Sequence, residues 1–303
     1  MIVKPKQNWL QLLFVWDGSV LQSIIPQLIL MGVVSVLAVV TQGRIFGEKI
    51  PLNAALLTLF GLTLAIFIGF RNTASYDRFK EGRLLWGNAL IAARAMMSQT
   101  LCYLPGSDAR LQVADHLVAC VYALKHELRG TDPKEDLVRL LGTERVQEMC
   151  KQNYRPIAVL HALRQHMTRL NDSGDLTDAR LWTLDVQFNE LGKAIGGCER
   201  IASTPIPFAY SVLLHRTVYT YCMLLPFGLV DSTEFFTPLL CVFLSYTLIA
   251  LEAIADEIAD PFGLAPNALP LDSITRGIER SVFELCGRVV PAPVPLKDGF
   301  LMT

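Results

Sequence analysis

Leu62, Ile66 and Phe70 stand four residues apart, with Thr58 one step before them. At 3.6 residues per turn this spacing puts them on one helix face, an apolar stripe that ends in an aromatic ring. On a transmembrane helix such a stripe faces lipid or lines a passage, and the residues alone admit both. Gly61, Ala65 and Gly69 form a neighbouring stripe, small enough for close helix contact. Glu252, Asp256 and Asp260 repeat at the same interval, so three carboxylates share a face and repel unless bases or ions compensate. Pairing with arginines of the 71–83 block is the expected compensation. That block (Arg71, Asp77, Arg78, Lys80, Glu81, Arg83) is mixed in sign and reads as an interfacial salt-bridge network. His161 and His166 are five residues apart, a poor spacing for chelation from one face, and read as ordinary surface or core histidines. Seven cysteines without a C-x-x-C pair argue against a disulfide framework or a zinc site and for free thiols in a reducing compartment. P-loop, HExxH and GxSxG patterns are absent. Ser203-Thr204 before Pro205 is turn chemistry. No catalytic residue, metal or cofactor is expected, and the chain does not read as an enzyme.

The elements that hold these residues are long apolar helices. Only 18% of residues are charged, below the usual quarter or so of soluble domains. No charge occurs from Gly18 to Gly43, from Ile50 to Phe70, or from Phe235 to Leu251. Twenty-one uncharged residues rise about 30 Å, the hydrocarbon thickness of a bilayer. A first span is predicted over about Ile24–Val40, with Pro26 in its first turn, and a second over about Leu52–Phe70 after the turn-rich linker 41–51. The second helix is expected to continue to about Leu104, where Pro105-Gly106-Ser107-Asp108 ends it. A third span covers about Phe208–Val230 if His215 and Arg216 are tolerated inside it, or else begins after Arg216. The fourth is Phe235–Leu251.

Residues 71–200 hold 18 Lys and Arg against 16 Asp and Glu, an ordinary soluble balance. Helices are expected over 109–130, from Pro133 to Gly142, over 144–152 and 156–170, and from the Thr177-Asp178 cap to about Ile195. Residues 171–175 read as a loop, and Gly196-Gly197 as a break before Pro205 and Pro207. The division of the chain is therefore 1–70 with spans one and two, 71–207 as a helical cytosolic domain, 208–251 with spans three and four, and 252–303 as a cytosolic C-terminal segment. Trp9, Asp17 and Pro26 interrupt any signal-peptide core, so residues 1–20 read as a cytosolic amphipathic lead into span one. Lys4, Lys6 and the basic residues after Phe70 put both termini in the cytoplasm of a multi-pass plasma (inner) membrane protein. A net charge of −1 argues against nucleic acid as a partner.

Three blocks, GFRNTASYDRFKEGRLLWG at 69–87, GGCERIASTPIPFAY at 196–210 with His215-Arg216 and Tyr219, and DEIADPFGLAPNALPL at 256–271, resemble the bestrophin ion channels, specifically their bacterial and plant-organelle branch. The blocks occur in the family's order, and the hydropathy layout matches across nearly the whole chain. The resemblance implies an all-α membrane protein: four transmembrane helices and a helical cytosolic domain, assembled as a homopentamer around one central pore in the bilayer. It implies passive conduction of small monovalent ions, chloride in most of the family and monovalent cations in some bacterial members. Leu62, Ile66 and Phe70 match its hydrophobic pore neck. Its cytosolic aperture falls at Ala179, between Asp178 and Arg180. Asp260-Pro-Phe-Gly is followed by Leu264-Ala265-Pro266-Asn267, without the acidic run that builds the animal calcium clasp, so calcium activation is not expected. A different class remains open: a membrane-anchored sensor or scaffold whose helical cytosolic domain binds a partner.

Overall fold

Helix dominates, as the apolar runs and the 3.6-residue periodicity require. The computed structural model describes residues 1–4, 8–16, 18–45, 48–49, 52, 54–149 and 151–303. Lys6, Asp17, Ile50, Cys150 and part of the 41–51 linker lie outside them. The helices are α1 (Trp9–Leu13), α2 (Leu21–Val40), α3 (Ala54–Tyr103), α4 (Ser107–Arg129), α5 (Lys134–Leu141), α6 (Thr143–Met149), α7 (Arg155–Asp172), α8 (Asp178–Ser203), α9 (Phe208–Thr233), α10 (Thr237–Ala259) and α11 (Leu271–Leu285). Two short antiparallel strands, β1 (Arg44–Ile45) and β2 (Glu48–Lys49), occupy the linker. Three stretches of the described residues are long and apolar enough to cross a membrane: Leu21–Val40, Ala55–Tyr103 and Phe208–Ala259. The last contains α9, a 3-10 turn at Glu234–Phe236, and α10.

The chain forms two compact units. One holds Lys4–Arg78 and Pro205–Asp260. In it α2 packs on α9 and α10, and Ile24, Met31, Leu64, Ile68, Leu214, Val218, Cys222 and Ile249 make the core. The 20 residues of α2 rise about 30 Å. This helix starts three residues before the expected boundary, so Pro26 sits inside it, beyond the first turn. The start is set by Ser19, whose Oγ accepts from the Leu21 N–H at 3.2 Å. Along α3, the Gly61 stripe is used in part. A Cβ at Gly61 would lie 2.6 Å from the Tyr221 hydroxyl, whereas one at Gly69 would meet nothing within 4 Å.

The other unit holds Met1–Val3, Phe79–Thr204 and Pro261–Thr303. Its centre is α4, which packs against α5, α7, α8 and α11. Every residue from His116 to Leu124 is buried, the pattern of a helix enclosed on all sides. Glu279 of α11 is fully buried there. It accepts from Tyr122 Oη at 2.7 Å, Arg139 at 2.6 Å and Arg276 at 2.8 Å, so its charge is compensated. The N-terminal and C-terminal segments pair within this unit: the Val3 N–H donates to the Phe300 carbonyl at 2.8 Å and the Met302 N–H to the Met1 carbonyl at 2.9 Å.

Several boundaries differ from the sequence reading. Pro133 stands just before α5 and not inside it. α7 runs through Asn171 and Asp172, which shortens the expected loop. α8 continues eight residues past Ile195, to Ser203. Gly196 and Gly197 therefore lie within a helix. A Cβ at Gly197 would fall 2.6 Å from Leu85 Cδ2, so this glycine serves close packing, not termination.

Candidate functional site

The first part of α3 divides into two opposed faces. Leu57, Leu64, Ile68, Arg71 and Ser75 are buried. Leu62, Ile66 and Phe70 are 60%, 51% and 65% exposed. At 100° per residue the two sets are centred roughly 170° apart. The three apolar side chains thus stand in one line on the side of the helix farthest from the core that α3 packs against. They carry no charge and no hydrogen-bonding group, so the face repels water and binds nothing specifically.

Immediately after Phe70 the chemistry reverses. Arg71 is 3% exposed and Glu252 of α10 is 6% exposed, with 3.7 Å between guanidinium and carboxylate. Arg71 also contacts Asp256, and His215 Nδ1 lies 3.0 Å from the same Glu252 oxygen. The expected pairing of the acidic face with the 71–83 block is present at Glu252 and Asp256. Arg78 donates to the Ala259 carbonyl at 2.9 Å. Glu81 pairs with Arg200. His215 was missed as a member of this cluster. Only the fold-back of α10 on α9 brings it beside Glu252, and neither segment carries that relation alone. α9 is helical through His215 and Arg216 from Phe208 onward.

Asp178, Ala179 and Arg180 form the first turn of α8, and all three are exposed. Thr177 takes the N-cap backbone position, but its side chain makes no capping bond. The charges that flank Ala179 are both engaged. Asp178 accepts from Asn171 Nδ2 at 3.0 Å. Arg180 donates to the Tyr103 carbonyl at 3.2 Å and lies over the Tyr103 ring, 5.6 Å from its centroid. The residues expected at the neck and those expected at the aperture belong to different units, and each set is brought together on a single helix. Among the described residues no group of three or more His, Cys, Asp or Glu side chains is arranged to hold a metal ion.

The sequence model of the Bacterial/Fungal Bestrophin protein family matches residues 1–284. The chain belongs to the bestrophin family. Among its bestrophin relatives, the voltage-dependent anion channel-forming protein RSc3414 of Ralstonia nicotianae is 40% identical over 291 residues, 95% of each chain. The voltage-dependent anion channel-forming protein YneE of Escherichia coli is 38% identical over 285 residues, 94% of each chain. The crystal structure of a bacterial bestrophin homolog from Klebsiella pneumoniae superposes with a TM-score of 0.85 at 42% identity, covering 88% of this chain and 99% of that one. These relatives are channel proteins, not enzymes. Bestrophin membership together with the apolar helices makes this an integral membrane protein.

Proposed function

We propose that this chain is one subunit of a passive, homopentameric anion channel with four membrane spans and one central pore. Residues 1–70 supply spans one and two, and residues 208–251 spans three and four. Residues 71–207 and 252–303 lie in the cytoplasm beneath a plasma (inner) membrane. The pairing of Met1–Val3 with the C-terminal residues supports both termini on one side. The observation that carries the reading is the exposed line of Leu62, Ile66 and Phe70, opposite the buried face of α3. Five copies around an axis turn that line into a stack of three apolar rings, the neck. Such a constriction excludes water when narrow and conducts when it widens. The neck has no charge with which to choose an ion, so selectivity rests elsewhere. Ala179 forms a second ring, the aperture, at a helix N-terminus whose partial positive charge attracts anions; Asp178 opposes that attraction and Arg180 adds to it. Small monovalent anions are the favoured permeant species, in keeping with the names of the Ralstonia and Escherichia relatives.

The test is purified chain in a pure lipid bilayer. A pentameric mass in mild detergent, single-channel currents, and a reversal potential near the chloride equilibrium value under a potassium chloride gradient are expected. A monomer, or a pentamer without current, would remove the channel. A reversal potential near the potassium value would reverse the ion sign.

A further inference from the structure

We propose that the face where α4, α6 and α7 meet is a binding site for a small divalent oxyanion, built from His116, Arg145, His166 and Arg169. These side chains line a cavity of about 360 Å³, with His161 and Gln165 at its edge. Among the described residues no carboxylate lines it. Among the described side chains, which do not include that of Glu148, neither Arg145 nor Arg169 has an acidic partner within ion-pair distance. Other arginines of this unit do have acidic partners: Arg129 pairs with Asp272 at 2.6 Å, Arg139 with Glu279 at 2.6 Å and Arg164 with Asp185 at 3.1 Å. Two arginines turned toward one cavity repel each other, and a doubly charged oxyanion would relieve this through charge-assisted hydrogen bonds.

The histidines complete the site. His116 is 4% exposed, and its Nδ1 is 2.7 Å from the Gln112 carbonyl, which fixes the hydrogen on that nitrogen. His166 stacks on it, with ring centroids 6.1 Å apart and planes 3° from parallel. The Nε2 of His166 is buried with no partner among the described residues, a costly state unless something meets it. His161 is tied to Gln165 at 2.9 Å. Burial pushes His116 below its ordinary value; the Gln112 bond and Asp115 act against this, Arg145 and Arg169 with it. Asp115 is itself paired with Arg288. Burial also lowers His166, followed by His116, Arg169 and Arg145. A bound dianion would reverse the balance and let the imidazoles take up protons.

Isothermal titration calorimetry of the full chain in detergent tests this with sodium sulfate, sodium phosphate, sodium succinate and, as a monovalent control, sodium chloride. Sulfate stays doubly charged across the range, so its pH dependence reports the protein. One saturable site per chain is expected for a divalent anion, with chloride at least about tenfold weaker. Sulfate preferred over succinate identifies a tetrahedral inorganic ligand, and the reverse order a dicarboxylate. Sulfate affinity should rise at least about threefold as the pH falls from roughly 7.5 to 5.5. Arg145→Gln with Arg169→Gln should weaken binding at least about tenfold, and His166→Gln should flatten the pH dependence. If the double variant elutes aggregated, Arg145→Gln alone is read by the same criterion. No saturable heat from any divalent anion up to about 10 mM, or unchanged affinity in the arginine variants, overturns the site.

Discussion

Arg71 and Glu252 form an ion pair in which both side chains are withdrawn from solvent, 3% and 6% exposed, with 3.7 Å between them. The pair ties α3 to α10 one residue beyond the exposed Phe70. Removing one member of a buried pair strands the other, at about 3 kcal/mol or more. Glu252→Gln is expected to lower unfolding stability by about that amount, with the remaining Asp256 contact keeping the loss at the low end. Joint replacement, Arg71→Leu with Glu252→Leu, should cost less than Glu252→Gln, because no buried charge is left unpaired and Asp256, which loses Arg71, is 59% exposed to solvent. Chemical unfolding in detergent checks this; an unchanged midpoint in Glu252→Gln would show that the pair contributes nothing.

The neck prediction follows from the exposed stripe. Shortening Leu62, Ile66 and Phe70 to Ala widens the rings and removes surface that resists wetting. Single-channel current should rise at least about twofold in the triple variant, with little change in reversal potential, since no charge is lost. A pentameric triple variant that conducts like the parent would separate these residues from the pore.

At the aperture, Ala179→Ile replaces a methyl ring with a bulkier apolar one and should lower conductance. Asp178→Asn removes a negative charge from each subunit and should move the reversal potential toward anions. Bilayer recordings in a salt gradient read both. If neither quantity moves, the first turn of α8 lies away from the conducting path.

Calcium should not be needed for current. Leu264-Ala265-Pro266-Asn267 offers no carboxylate after Asp260-Pro-Phe-Gly, and a hard cation of this size seeks six to eight oxygens. Steep activation by micromolar calcium would require oxygen ligands from elsewhere in the chain.

Stability should respond to pH through Glu127 of α4. Burial, then the neighbouring Glu199 carboxyl, pushes it from its ordinary 4.5 up to about 7, with Arg155 acting against them. A carboxyl raised in the folded state contributes stability that is fully present below 4.5 and is lost as the pH rises through about 7. Asp272 works in the opposite sense. Burial would raise it, but Arg129 and Lys125 outweigh this and hold it low, so its contribution is present at neutral pH and lost in acid. Glu127→Gln should therefore stabilise the protein relative to the parent at pH 8 more than at pH 5. Thermal unfolding of both proteins at the two pH values would show it, and a parallel pH response would contradict it.

Much of the fold was written locally. Uncharged runs of bilayer length marked the apolar helices, because a backbone in hydrocarbon must satisfy its own hydrogen bonds. Pro105-Gly106 ended α3, and Pro205 and Pro207 followed the end of α8, because each constrains the backbone by itself. The four-residue spacing of Leu62, Ile66 and Phe70 already put them on one face. Which face of α3 is buried was a tertiary matter, settled by Leu214, Val218 and Ile249 from segments far along the chain. The same holds for Gly197, whose role depends on Leu85 and not on its own helix propensity. His215 beside Glu252, and His116 beside His166, join residues 37 and 50 positions apart (252 − 215 and 166 − 116). Periodicity states which side chains share a surface. What covers that surface depends on how distant helices pack, and no local pattern encodes it.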